Sequence, residues 1–417
     1  MTIGARGGGA GRYVPPMPHS RARLARRAGR GLVVVVALAA LVGAAACGGD
    51  DGTATTGPAV AVQDDRIPVA RSDELAPRIE MLAETGAKVA RLDLFWSSIA
   101  PTEPADPTDP ADPAYDFSQA DFVLSGYAER GIDTIVSVYN TPAWAARNGQ
   151  GPPAGTPINN NFPKADAFGE FMGAVAARYS GTFQPDGADQ PLPATSHFEI
   201  WNEPNFRSFL GPQVEEGRLV AADAYAEMAE AAYPAIKTAN PEAIVIVGVG
   251  GPRGASGEGA TGARPWLQAL RERDIPLDAY SQHIYPAAAP DVETIAFPSW
   301  SSIDGFLAEL DEWKPGLDLY ITEAGYTTAS TPFRKSHVTE EEQAQYLTEI
   351  FALPQVDQER VAAIVWFNLQ DNEFWPAGLI RADGTRKPSY DAFTEVVAQR
   401  GELTLPTLGE DQASSAP

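Results

Sequence analysis

Between residues 58 and 400 the apolar positions follow two rhythms in turn. Short runs that alternate, or are apolar throughout, predict strands at 60–65, 89–95, 133–139, 197–203, 244–248, 279–283, 317–323 and 361–367. The stretches between them carry apolar residues at helical spacing, or lie between helix start and stop signals. They predict helices at 73–85, 121–130, 165–179, 220–240, 265–273, 303–313, 340–353 and 388–399. Leu75, Ile79 and Leu82 share one face of the first helix, with Ser72 as its cap. Phe168, Phe171, Met172 and Val175 stripe the third. Strands alternating with helices predict an α/β fold with a parallel sheet, and no repeat is visible beyond that alternation.

Two strands end in a glutamate. In His197-Phe198-Glu199-Ile200-Trp201-Asn202-Glu203-Pro204-Asn205, alternation puts Phe198 and Ile200 on one face and Glu199, Trp201 and Glu203 on the other. Pro204 lacks an N–H, so pairing cannot run on through it. Leu317-Asp318-Leu319-Tyr320-Ile321-Thr322-Glu323-Ala324-Gly325-Tyr326 has the same form, with small residues after the carboxylate. Two carboxylates at the carboxyl ends of two strands suit retaining glycoside hydrolysis, one as acid/base and one as nucleophile.

Trp201-Asn202-Glu203-Pro204-Asn205 with Thr322-Glu323-Ala324-Gly325-Tyr326 resembles the clan A glycoside hydrolases, nearest to families 39 and 5. The resemblance covers roughly residues 58–400 and implies one (β/α)8 TIM barrel. It implies Glu203 as acid/base on the fourth strand and Glu323 as nucleophile on the seventh. It implies Arg91 holding the nucleophile ionised, Asn202 on the sugar 2-hydroxyl, Tyr285 bonded to the nucleophile and His283 near the acid/base. Trp366 would form the aromatic floor of the sugar site. Alongside these readings, Arg91 could instead pair with Asp93 or Glu199 below the site, and Trp366 could be a core residue. Trp144, Trp375 and Tyr326 fall on loops after strands and are further candidates for sugar contact, while Phe206 and Arg207 could face the leaving group. His197 and His337 show no ligand spacing with His283, so neither metal nor cofactor is expected.

The leader changes the picture of place. Residues 1–46 carry seven arginines and no acid, then an apolar run from Gly31 to Ala46 too short to span a bilayer comfortably. Ala44-Ala45-Ala46-Cys47-Gly48-Gly49 resembles a bacterial lipoprotein signal, although Ala44 stands where Leu is usual. Lipidation at Cys47 and ordinary cleavage at the alanine run are both open. The expected organisation is a signal peptide over 1–46, a linker over 47–57, the barrel over 58–400 and a disordered tail over 401–417. Cys47 is the only cysteine, so no internal disulfide forms. The net charge of −24 becomes −31 without the leader, which argues against nucleic acid and anionic membrane surfaces as partners. A carbohydrate is the expected partner, with membrane contact only through the anchor, for a monomer outside the cytoplasm. The Asp-Pro repeats of 101–113 read as a stiff loop or, alternatively, a calcium site. The Gly-rich stretch 248–262 reads as a rim loop, since it lacks a Gly-Lys-Ser/Thr ending. Hydrolysis is the leading activity. A transglycosylase on the same residues and a non-catalytic polysaccharide-binding protein are the alternatives.

Overall fold

A computed structural model describes residues 57–294, 297–401 and 403–408. The leader, Cys47 and almost all of the expected linker lie outside the described residues. Eight parallel strands close into a barrel in sequence order, β8 pairing back onto β1. They are β1 (Ala59–Gln63), β2 (Val89–Phe95), β3 (Asp133–Tyr139), β4 (His197–Ile200), β5 (Ile244–Gly250), β6 (Ala279–Gln282), β7 (Asp318–Ala324) and β8 (Val361–Phe367). The main helices that follow them are α1 (Ser72–Ala83), α2 (Ser118–Ala128), α3 (Ala165–Arg178), α4 (Val220–Ala239), α5 (Ala263–Glu272), α6 (Ile303–Asp311), α7 (Glu340–Ala352) and α8 (Pro388–Arg400). The expected (β/α)8 barrel is the observed fold.

Two apolar layers hold it. Ala61, Val89, Ile135, Ile246, Tyr320 and Val365 pack against one another inside the barrel. Val62, Leu92, Val136, Phe198, Val245 and Ile364 face the helices in the outer layer. Each strand therefore sorts its side chains by parity, and a one-residue slip exchanges inside for outside. No described helix is long and apolar enough to cross a membrane.

Some expectations are corrected. Helix α1 starts at Ser72 itself, and its cap position is Arg71, whose N–H donates to Glu74 Oε2 at 2.9 Å. The glutamate strand stops at Ile200, with Trp201 and Glu203 at φ 71° and 40°. Alternation ends there, and Trp201 turns away from Glu203 to pack on Phe168 of α3. Residues 403–408, expected to be disordered, are placed against the barrel. Leu405 is buried with the inner cluster and Leu408 packs on it. Asp106, Asp109 and Asp112 accept backbone N–H groups within their own loop, which is how that loop is held.

Candidate active site

The site is built from the carboxyl ends of the strands. β2 places Arg91 inside the barrel, wholly buried. Its Nε donates to Glu199 Oε2 at 2.6 Å, and Nη1 reaches Gln63 Oε1 at 2.8 Å and Glu323 Oε1 at 3.0 Å. Nη2 donates to Ser137 Oγ at 3.0 Å and Asn202 Oδ1 at 2.9 Å. Asp93 Oδ1 is 3.2 Å from Nη1. A planar fork of five donors is the side chain that can serve so many partners at once. Both readings of Arg91 therefore describe real contacts, since it holds Glu199 below and Glu323 above. Burial opposes its charge, but Glu199, Asp93 and Glu323 together keep its pKa above the ordinary value.

Glu323 reaches the mouth through an irregularity. Ile321 pairs with Ile364 and Ala324 with Trp366, so β7 spends one residue more than β8 over that step. Strict alternation from Leu319 and Ile321, which face the helices, would send Glu323 outward. The extra residue re-aims it into the barrel. Tyr285, after β6, donates its hydroxyl to Glu323 Oε2 at 2.8 Å. With Arg91 on its other oxygen, Glu323 has a donor on each side.

Glu203 has a poorer setting. His283 Nδ1 lies 3.0 Å from its Oε1 and 3.5 Å from Glu323 Oε2. Burial holds the imidazole below its ordinary pKa, hence neutral. Glu203 is also crowded by Gly251, where a Cβ would come within 3.0 Å of the carboxyl carbon. Asn205 fixes that approach, accepting from Gly251 N at 2.7 Å and donating to Thr261 O at 2.9 Å. Burial pushes Glu203 up to about 8, with Arg91 pulling the other way. Burial also raises Glu323, to about 7, where His283 and Arg91 pull down and Glu203 pushes up. Two buried carboxylates cannot both ionise freely, and the one beside Arg91 and Tyr285 ionises first.

Ligand-type atoms of Glu203, His283 and Glu323 all lie within 4.8 Å of one another. This is on the short side of the roughly 5–5.5 Å typical of retaining pairs and well under the roughly 6.5–9.5 Å of inverting ones. Among the described residues these three also form the one His/Cys/Asp/Glu group able to hold a metal. A cation there would occupy the side chains that the glycosidic chemistry needs.

Of the predicted residues, Arg91, Asn202, Glu203, His283, Tyr285 and Glu323 converge. Arg91 takes the Asn202 oxygen, leaving the amide NH2 end for a ligand. Trp366 and Trp144 do not join them. Trp366 pairs in register with outward-facing Val62, and its indole N–H donates to Ala377 O at 3.1 Å in the outer layer. Its neighbour Phe367 pairs with inward-facing Gln63 and sets its ring 6.4 Å from that of Tyr285. The aromatic at the mouth is Phe367. Trp144 donates to Ala100 O at 2.8 Å and packs edge-on against Trp96, under the rim. Tyr326 is buried against Tyr346, whereas Trp375 lies 4.9 Å from Tyr285 and does reach the mouth. Phe206 covers Gly251 beside Glu203, and Arg207 is exposed. Gln63, Ser137 and Asn205 were not singled out from the sequence. Only the inward parity of Gln63 and Ser137 could have flagged the first two.

The family model Cellulase (glycosyl hydrolase family 5) matches residues 70–372. No curated protein matches. Among solved structures, the chain is similar to a family 39 glycoside hydrolase from the gut symbiont Bacteroides cellulosilyticus WH2, at 22% identity and TM-score 0.55 over 82% of this chain and 64% of that one. It is similar to GH5_18 from Streptomyces cattleya, solved in complex with GlcNAc, at 15% identity and TM-score 0.57 over 84% and 82%. A third likeness is to the GH39 enzyme of Xanthomonas axonopodis pv. citri, at 19% and 0.54 over 85% and 70%. The chain thus spans somewhat under two thirds of the first of these proteins. At such identities these likenesses carry the fold, and they agree with the clan expected from the two glutamate motifs. The family model covers most of the chain, and the chain belongs to glycosyl hydrolase family 5, the cellulase family.

Proposed function

We propose that the protein hydrolyses β-glycosidic bonds of an extracellular or cell-envelope oligo- or polysaccharide with retention of configuration. The observation that carries this is the short separation of Glu203 and Glu323, combined with their unequal surroundings. Glu323, paired with Arg91 and Tyr285, is the nucleophile. Its oxygen attacks the anomeric carbon while Glu203 gives its proton to the leaving oxygen and the glycosidic C–O bond breaks. Glycosylation removes the Glu323 charge. Glu203, now a carboxylate, takes a proton from water as the water oxygen attacks the same carbon and frees Glu323. Asn202 is placed for the 2-hydroxyl, and Phe367 and Trp375 for the apolar face of the ring. A 2-fluoro glycosyl inactivator of an accepted sugar tests this. A stable adduct on the Glu323 peptide is the expected result, and an adduct on Glu203 would reverse the roles.

The leader supports a second proposal, that the mature chain begins at a lipidated Cys47 and works outside the cytoplasm. Intact mass of membrane-extracted protein should exceed the polypeptide from Cys47 by a diacylglyceryl group. An unmodified N-terminus elsewhere refutes it.

A further inference from the structure

Across the barrel from Glu203, the ends of β1 and β8 hold polar atoms the mechanism does not use. Asn368 is wholly buried, yet neither its Oδ1 nor its Nδ2 has a hydrogen-bond partner within the protein. Its amide lies near the Asp65 carboxylate and favours the charged form of that group. Asp65 Oδ1 is buried and likewise unbonded, while Oδ2 accepts from Asn372 Nδ2. The indole N–H of Trp375 is buried without a partner too. Folded proteins rarely leave one such group, and here three residues do so in one connected place.

Beside them stand two exposed rings. Phe333 and Phe374 are 74% and 53% exposed and meet edge-on at 5.9 Å. Their backbone is pinned by their neighbours. Asn372 Oδ1 accepts from Phe374 N at 2.8 Å and Trp375 N at 2.7 Å. Arg334 donates to the carbonyls of Tyr285 at 2.8 Å and Pro286 at 2.6 Å. The patch is continuous with the active site, because Trp375 packs on Tyr285 and Tyr285 on Glu323.

We infer that Asp65, Asn368 and Trp375, walled by Phe374 and Phe333, form a pyranose-recognition site on the glycone side of the scissile bond. An acceptor, a donor–acceptor pair and a lone donor match hydroxyls, which both donate and accept. Phenylalanine rings match the apolar face of a sugar and offer nothing to a charged or strongly polar ligand. The side follows from the chemistry. The acid/base on β4 must touch the leaving oxygen, so the aglycone runs towards β4 and β5. β8 and β1 lie opposite in the closed order. The inference deepens the proposed hydrolysis and rests on it.

The test uses linear β-1,4 gluco-, manno- and xylo-oligosaccharides of increasing length. Calorimetric titration into the Glu323→Gln protein gives affinities, and the otherwise wild-type protein gives kcat/KM. Asn368→Ala should weaken binding about tenfold or more. Phe374→Ala, at an exposed position that the fold does not need, should cost about fivefold. Phe122→Ala, an equally typical exposed phenylalanine on α2, should cost nothing. Unchanged affinity in both Asn368→Ala and Phe374→Ala, or an equal loss in Phe122→Ala, overturns the site while leaving hydrolysis standing. A wild-type protein that neither binds nor cleaves any of the series overturns both.

Discussion

Arg91 stands 2.6 Å from Glu199 and 3.0 Å from Glu323, so one guanidinium answers a carboxylate below the site and another within it. Asp93 makes a third, and the cation has no contact with bulk water. Replacing Arg91 with Met leaves these buried carboxylates facing one another. The expected cost is about 3–5 kcal/mol of stability, as for breaking a buried ion pair. Arg91→Lys should recover part of that but little activity, because an ammonium cannot span Glu199, Asn202 and Glu323 together. Urea unfolding of the three proteins, compared with their kcat/KM, checks both statements.

Activity should follow a narrow bell in pH. Glu323 must be ionised and Glu203 protonated, so kcat/KM falls below an apparent pKa near 7 and above one near 8. Glu203→Gln removes a group that raises Glu323, and the acid limb should move to lower pH. An aryl glycoside with a good leaving group makes that limb measurable in the variant. An unmoved limb would show the two carboxylates to be uncoupled.

The same shifts bear on stability. A carboxyl whose pKa is higher folded than unfolded favours the folded state at low pH. That advantage is lost as pH rises from the ordinary value of 4.5 towards about 8. Glu203→Gln, which never ionises, should therefore raise Tm at pH 8 and change it little at pH 4. Melting curves at both values decide this.

Glu203→Ala should slow substrates with poor leaving groups by roughly 10²–10⁴-fold and activated aryl glycosides far less. Azide should rescue it to a product of retained configuration. Glu323→Ala should lose activity on all substrates, and azide or formate should return an inverted product. Proton NMR of the first-formed anomer reads the difference.

Trp366→Ala should behave as a core deletion, costing about 3–5 kcal/mol with kcat/KM nearly kept in whatever remains folded. Phe367→Ala should keep its Tm and lose kcat/KM. The opposite pattern would return Trp366 to the sugar site.

That last pair marks where the sequence stops being readable. The bounds of β2, β3 and β8 are those expected from the apolar runs, and both glutamates announce themselves through their motifs. β8, however, reads Val-Ala-Ala-Ile-Val-Trp-Phe, apolar throughout, so nothing in it says which residues face inward. Its parity is set by pairing with β1, about 300 residues earlier in the chain. The turning of Glu323 depends on an extra residue in β7 that alternation cannot foresee. Trp144 looked free because the carbonyl it donates to, Ala100, lies in a different loop. Positive φ at Trp201 likewise removes that ring from a face that its spacing alone would assign to it. The convergent residues were legible because their roles require particular atoms, whereas the aromatic contacts depend on which way a ring points.

The first and last described segments meet at the floor of the barrel. β1 starts there at Ala59, Leu405 closes the same end, and Gly57 lies against Arg400 and Asp357. The strands run from that floor to the glutamates, a rise of roughly 20 Å for six residues. Whatever is joined ahead of residue 57, whether a lipid tether, a fusion partner or a surface-immobilisation tag, is therefore attached at the foot of the barrel. The entrance to the site points the other way, so the enzyme can be grafted to a support through its N-terminus and still meet a bulky polymer face on.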